Sequence, residues 1–76
     1  MKPTYEEFKK LVKEKFTECM PNLTEAEIEE YINKEEQVIK DEYDVSSDQL
    51  EKGEITESVF RTGGASAVAS CLYTMY

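Results

Sequence analysis

The spacing of apolar residues constrains this fold more than any other feature of the sequence. Between Tyr5 and Cys19 the apolar side chains recur every three or four positions, which is the spacing of one face of an α-helix. A second stripe of this kind runs from Ile28 to Tyr43. No segment alternates apolar and polar residues over the length of a strand between turn signals. The sequence therefore predicts an all-α fold, a compact bundle of four to five short helices in a single domain over residues 1–76.

Two of the predicted helices begin at a capping box. Thr4 and Thr24 are each followed three positions later by a glutamate, so that hydroxyl and carboxylate can each accept a hydrogen bond from the other residue's amide. Pro21 cannot continue a helix, and it disfavours helical geometry in the residue before it. We therefore expect the first helix to end near Met20 and the second to begin after Thr24.

Similar signals divide the second half of the chain. The second apolar stripe predicts one helix that continues to Tyr43. Ser46 then stands where a new cap is expected, and Gly53 supplies the left-handed residue that ends many helices. These features predict a short third helix of about two turns. Thr56 is expected to cap a fourth segment.

The last 14 residues, 63–76, carry no charged side chain. They are too few to cross a bilayer, which takes about 20 apolar residues. Two adjacent rows at four-residue spacing favour a helix packed in the core: Gly63, Ala67 and Cys71, and beside them Phe60, Gly64, Val68, Leu72 and Tyr76. We expect both rows to face neighbouring helices. The Gly63-Gly64 pair either breaks the chain between two helices, which we favour, or sits as a weak point inside one helix.

Charge is distributed unevenly along the chain. Residues 21–57 hold thirteen acidic and three basic side chains, and the whole protein has a net charge of −8. Such a surface repels phosphate groups. We therefore expect no direct partner among nucleic acids and no binding to membranes.

The sequence offers no residues for a catalytic, cofactor or metal site. Histidine is absent, which removes the usual base for a cysteine nucleophile and a common zinc ligand. Asp44, Ser46 and Asp48 have the spacing of a calcium loop, but the required glycine and glutamate of that loop are missing. We expect neither enzymatic activity nor a bound cofactor.

The two cysteines, Cys19 and Cys71, fall on predicted apolar stripes. Free cysteine is among the most buried residue types, so we expect two buried thiols. The N-terminal residues lack the apolar run of an export signal, and this predicts a cytoplasmic protein.

A protein-binding role agrees best with these properties. We expect a small acidic domain that acts as an adaptor, inhibitor or regulatory subunit, and whose partner is another protein or a second copy in a homodimer. Tyrosine is enriched at interfaces, and acidic side chains suit a basic partner. The candidate binding residues are Tyr31, Glu35, Tyr43, Tyr73 and Tyr76.

The glycine pair supports one alternative. Leader peptides of the bacteriocin type end at Gly-Gly, and in such a precursor residues 65–76 would be the released cargo. Those leaders are recognised through apolar residues at set distances before the cut. Here the corresponding positions hold Arg61, Ser58 and Gly53, which departs from that pattern.

Replacing Thr24 with alanine tests the second capping box. Thr24→Ala should lower the free energy of unfolding by about 1 kcal/mol, because the amides of the first turn lose their acceptor. Chemical denaturation measures the change. An unaltered midpoint would show that no helix is capped at this position.

Overall fold

A computed structural model describes residues 3–76 and contains four α-helices. They are α1 (Tyr5–Cys19), α2 (Glu25–Lys34), α3 (Glu36–Glu51) and α4 (Ala65–Met75), and a π-helical segment, Val59–Gly64, leads directly into α4. Residues 3–76 contain no strand. The predicted all-α bundle is therefore confirmed.

The capping residues behave largely as their local sequence predicts. The Glu27 amide donates to Thr24 Oγ1 at 3.2 Å, and the Thr24 amide donates to Glu27 Oε1 at 2.9 Å. This second bond holds the pKa of the Glu27 carboxyl below its usual value. Thr4 also accepts from the Glu7 amide, but the Glu7 carboxylate turns to Arg61 at 3.2 Å. The first capping box therefore has only one of its two hydrogen bonds, the one from the Glu7 amide to Thr4.

The boundary between the second and third helices differs from the prediction. The second apolar stripe is split at Glu35, whose φ of −100° and ψ of 23° separate α2 from α3. Ser46 caps nothing, because α3 passes through it without interruption. Its side chain is buried, and its hydroxyl donates to Glu42 Oε1 at 3.2 Å. A helix that has already begun keeps its backbone hydrogen bonds by continuing, so the local capping preference of Ser46 is overridden.

Gly53 ends α3 as predicted. It has a φ of 76°, a left-handed value that costs glycine little. The Gly53 amide donates to the Leu50 carbonyl and the Glu54 amide donates to the Gln49 carbonyl, the pattern of a Schellman motif. Thr56 then accepts a hydrogen bond from the Val59 amide at 3.2 Å, which confirms it as a cap.

Helix α1 is the element around which the others are arranged. Its core face, Phe8, Val12 and Phe16, is fully buried. Helix α4 makes its most extensive contact with α1 and runs alongside it in the same direction. The buried apolar residues of the other elements are Ile28, Ile32, Ile39, Phe60, Ala65, Val68, Ala69 and Leu72. The uncharged C-terminal helix thus lies in the core, as predicted.

The glycine pair does not break the chain, contrary to our expectation. Gly64 has a φ of −63° and a ψ of −48°, and the helix passes through both glycines as the π-helical segment. Gly64 faces inward, where a Cβ atom would lie 3.3 Å from Phe8 Cε1. The glycine is therefore used for close approach to α1 and not as a helix end.

The small row Gly63, Ala67 and Cys71 is exposed, so the prediction that it packs against a neighbour was wrong. A helix buries one face, and α1 lies against the other flank of α4, where Ala65 and Ala69 supply the small side chains. The expectation of two buried thiols was also wrong, because both cysteines are exposed, and they form no disulfide. Cys71 belongs to the exposed row, and Cys19 is the last residue of α1, beyond the core contact of Phe16.

The two glycines make a matched pair for mutation. Gly64→Ala should lower the free energy of unfolding by about 1–2 kcal/mol, because the added methyl group meets a buried ring. Gly63→Ala should raise it by about 0.5–1 kcal/mol, because alanine is the better helix former. At that position the nearest side-chain atom, Val59 Cγ1, would be an ordinary 3.6 Å away. Urea denaturation measures both variants, and equal effects would contradict the inward orientation of Gly64.

Candidate functional site

The described part of the chain presents surfaces and shallow grooves. Within residues 3–76 no group of three or more His, Cys, Asp or Glu side chains is arranged to hold a metal ion. No helix there combines the length and the apolar character needed to cross a membrane.

Two of the predicted binding residues, Tyr31 and Tyr76, are in contact, and a third, Glu35, lies close enough to act on the Tyr31 hydroxyl by its charge. The Tyr31 ring stacks on Phe16 with centroids 5.4 Å apart, and it meets the Tyr76 ring edge-on at 4.9 Å. The Tyr31 hydroxyl donates to the Leu72 carbonyl at 3.0 Å. Burial raises the pKa of Tyr31, and the charge of Glu35 adds to that shift. Tyr31 thus fastens α2 to α4, while Tyr76 keeps 58 % of its surface exposed.

Tyr43 lies in a second aromatic group around the first turn of α1. Its ring contacts Tyr5, Phe8 and Phe60, with centroids 5.5–5.8 Å apart. Its hydroxyl donates to the carbonyl of Pro3 at 2.8 Å. Tyr43 is therefore occupied by contacts within the chain. Tyr73 belongs to neither group and projects from α4 with 53 % of its surface exposed.

The structure also forms a groove that sequence reasoning missed. It lies between α3 and α4 and has a volume of about 280 Å³. We call it the α3–α4 groove; its lining residues are Val38, Asp41, Glu42, Val45, Ala67, Val68 and Cys71. Val45 is 54 % exposed, and beside Cys71 the side chain of Met75 is 49 % exposed, with the two sulfur atoms 3.8 Å apart. The groove therefore presents apolar surface to solvent.

The two walls of this groove differ in charge. The α3 wall carries Asp41 and Glu42, neither of which pairs with a lysine or arginine among residues 3–76. Asp41 Oδ1 accepts from the Gln37 amide group at 2.9 Å, and Glu42 accepts from Ser46. Along its whole length α3 has six acidic residues and one lysine, whereas α4 has no charged residue. The groove is acidic on one side and neutral on the other.

Two sequence signals could have indicated the groove. Val45 lies outside the buried stripe of α3, so an apolar residue there has no role in the core. The small row Gly63, Ala67 and Cys71 is visible in the sequence, but its orientation depends on which flank of α4 meets α1. That choice is made by tertiary packing.

Comparisons with known proteins found no similarity: no family model, no curated protein and no solved structure matches this chain. The function is therefore inferred from the geometry of residues 3–76.

The Tyr5 hydroxyl allows a test of the aromatic group around Tyr43. This hydroxyl is buried without a hydrogen-bond partner among the described residues. Tyr5→Phe should therefore raise the free energy of unfolding by on the order of 1 kcal/mol, since the group is desolvated without compensation. Tyr43→Phe should lower it by about 1 kcal/mol, because it removes the bond to Pro3. Denaturant titrations should therefore show changes of opposite sign in the free energy of unfolding. A lower free energy of unfolding in both variants would contradict the unpaired state of the Tyr5 hydroxyl.

The same residue predicts a pH dependence. Burial raises the pKa of Tyr5 from 10.0 to about 12, and the carboxylate of Glu36 adds to the shift. The folded chain thus holds the phenolic proton more tightly than the unfolded chain does. The resulting stabilisation is complete below pH 10.0 and is lost as the pH rises through about 12. Between these pH values the free energy of unfolding of the wild type should fall relative to that of Tyr5→Phe. Parallel curves of unfolding free energy against pH for the two proteins would contradict the raised pKa of Tyr5.

Proposed function

We propose that this chain is a non-catalytic protein-binding domain, an adaptor, inhibitor or regulatory subunit that engages its partner through the α3–α4 groove. One observation carries the proposal. The groove combines exposed apolar residues with the small side chains of Ala67 and Cys71 on a helix without charge. Apolar side chains that are exposed together gain free energy when a partner covers them.

The energetic basis is the burial of this surface on binding. Removing apolar surface from water contributes about 25 cal/mol per Å². Small residues at four-residue spacing let another backbone approach closely and gain dispersion contacts. A side chain placed between Val45 and Ala67 would gain both contributions.

The packing of α4 supports a binding domain over the precursor-peptide alternative. Release of residues 65–76 as cargo would remove Val68, Ala69 and Leu72 from the core. It would also require cleavage after Gly64, inside a continuous helix and against Phe8. The exposed, unpaired state of the two cysteines suits a reducing compartment, and we place the protein in the cytoplasm as part of the same proposal.

Site-specific photocrosslinking tests the proposal. A photoreactive amino acid at Ala67 should give covalent adducts with a partner protein when the full chain is irradiated in a lysate of its own source cells. The same amino acid at Thr17, an exposed position on α1, is the matched control. Adducts at Ala67 alone are expected. Adducts at both positions in equal yield, or at neither, would contradict a binding surface on α4.

A further inference from the structure

We propose that the α3–α4 groove binds an amphipathic α-helix whose polar flank carries lysine and arginine. The inference rests on the proposed function and specifies the partner by its chemistry. It combines the shape of the α4 surface with the charge of the α3 wall.

The shape favours a helix as the bound element. An exposed row continues along the π-helical segment and α4 at four-residue spacing: Val59, Gly63, Ala67, Cys71 and Met75. Its end members lie close together: Val59 Cγ1 is 3.6 Å from the position that a Cβ atom of Gly63 would occupy, and the sulfur atoms of Cys71 and Met75 are 3.8 Å apart. Such a row spans about 24 Å at the rise of an α-helix. Helices pack by setting rows of this spacing into one another's grooves.

An extended peptide would fit this surface less well. Strand addition takes its affinity from hydrogen bonds to an open sheet edge, and residues 3–76 contain no strand. The backbone groups of α4 are already bonded within the helix. A bound helix satisfies its own backbone and needs only side-chain contacts from the groove.

The charge of the α3 wall selects the polar flank of that helix. Asp48, farther along α3, already pairs with Lys52 at 2.9 Å. Asp41 and Glu42 stand beside the apolar lining and pair with no lysine or arginine among residues 3–76. A neutral helix would remove water from these carboxylates without replacing it, which costs free energy. An acidic helix would be repelled. Lysine or arginine on the flank that faces α3 compensates the carboxylates, while apolar residues contact Val45 and Ala67.

A second copy of this chain supplies no such helix. The basic residues of α1 flank a face whose apolar side chains, Phe8, Val12 and Phe16, are already buried. Lys9 pairs with Glu36 at 3.3 Å, and Lys13 lies 3.6 Å from both Glu25 and Glu29. A symmetric contact through the groove would bring the Asp41 and Glu42 carboxylates of both copies together. The charges therefore favour a different protein over a homodimer.

A designed peptide provides the test. The probe is a synthetic helix of about 18 residues, long enough for the exposed row, with a leucine face flanked by lysines. One control peptide has glutamate in place of lysine, and a second has serine in place of leucine. Titration into the labelled full-length protein, followed by amide chemical shifts, should show binding of the lysine-leucine peptide alone. The shifts should concentrate at Val45, Ala67 and Cys71, and the affinity should fall with added salt.

Two matched variants locate the contact. Val45→Asp should weaken binding of the peptide about tenfold or more, because it places a carboxylate in the apolar contact. Ser66→Asp places the same carboxylate on an exposed residue of α4 outside the groove lining and should leave the affinity within about twofold. Asp41→Lys should weaken the lysine-leucine peptide about twofold to fivefold and improve the glutamate peptide. Thermal melts establish that each variant is folded.

Several results would overturn the inference. Equal binding of the lysine and glutamate peptides would remove the role of charge, and shifts centred on Tyr31 and Tyr76 would place the site elsewhere. Concentration-dependent dimerisation that Val45→Asp abolishes would identify a second copy as the occupant. Absence of peptide binding together with crosslinks at Ala67 would refute the basic helix and leave the proposed function standing. Absence of both would refute both.

Discussion

The contact between α1 and α4 is the interaction on which the rest of the structure depends. Phe8 packs where Gly64 has no side chain, and Leu72 is fully buried farther along the same helix. A chain of 76 residues buries only about 60 % of its unfolded surface, so it has little apolar area to lose. The uncharged helix packed against α1 completes the core of this small protein. The two cysteines are free, and residues 3–76 contain no cluster that could hold a metal ion.

Two aromatic groups secure the ends of that contact and decide which surface stays open. Tyr43 joins α3 to the start of α1, and Tyr31 joins α2 to the end of α4 through the Leu72 carbonyl. These tyrosines are used within the chain, whereas the flank of α4 that faces away from α1 is left uncovered. The α3–α4 groove therefore results from the packing of α1 against the other flank of α4. Its acidic wall is formed by Asp41 and Glu42 of α3.

Features that depend on a few neighbouring residues were predictable. Thr24 and Glu27 form their capping box, Pro21 follows the end of α1, and Gly53 closes α3 with a left-handed turn. Each is fixed by hydrogen bonds and sterics within about four residues. The predictions for Ser46 and the glycine pair failed because the same residue types also serve packing. Ser46 and Gly64 are neighbours in space, because Ser46 Oγ lies 3.5 Å from the position that a Cβ atom of Gly64 would occupy. Segments that are distant in the sequence set this arrangement.

The sequence by itself determined the all-α class, most helix ends and the burial of Val68 and Leu72, because periodicity and capping act locally. The orientation of α4 about its own axis was decided only by tertiary structure. Either flank of the Phe60–Leu72 row could have met α1, and the flank with Ala65 and Ala69 did so. That choice exposes Cys71 and its row, and it creates the candidate binding groove. Neither outcome follows from spacing alone, because spacing defines the rows of a helix but not the neighbour that each row meets.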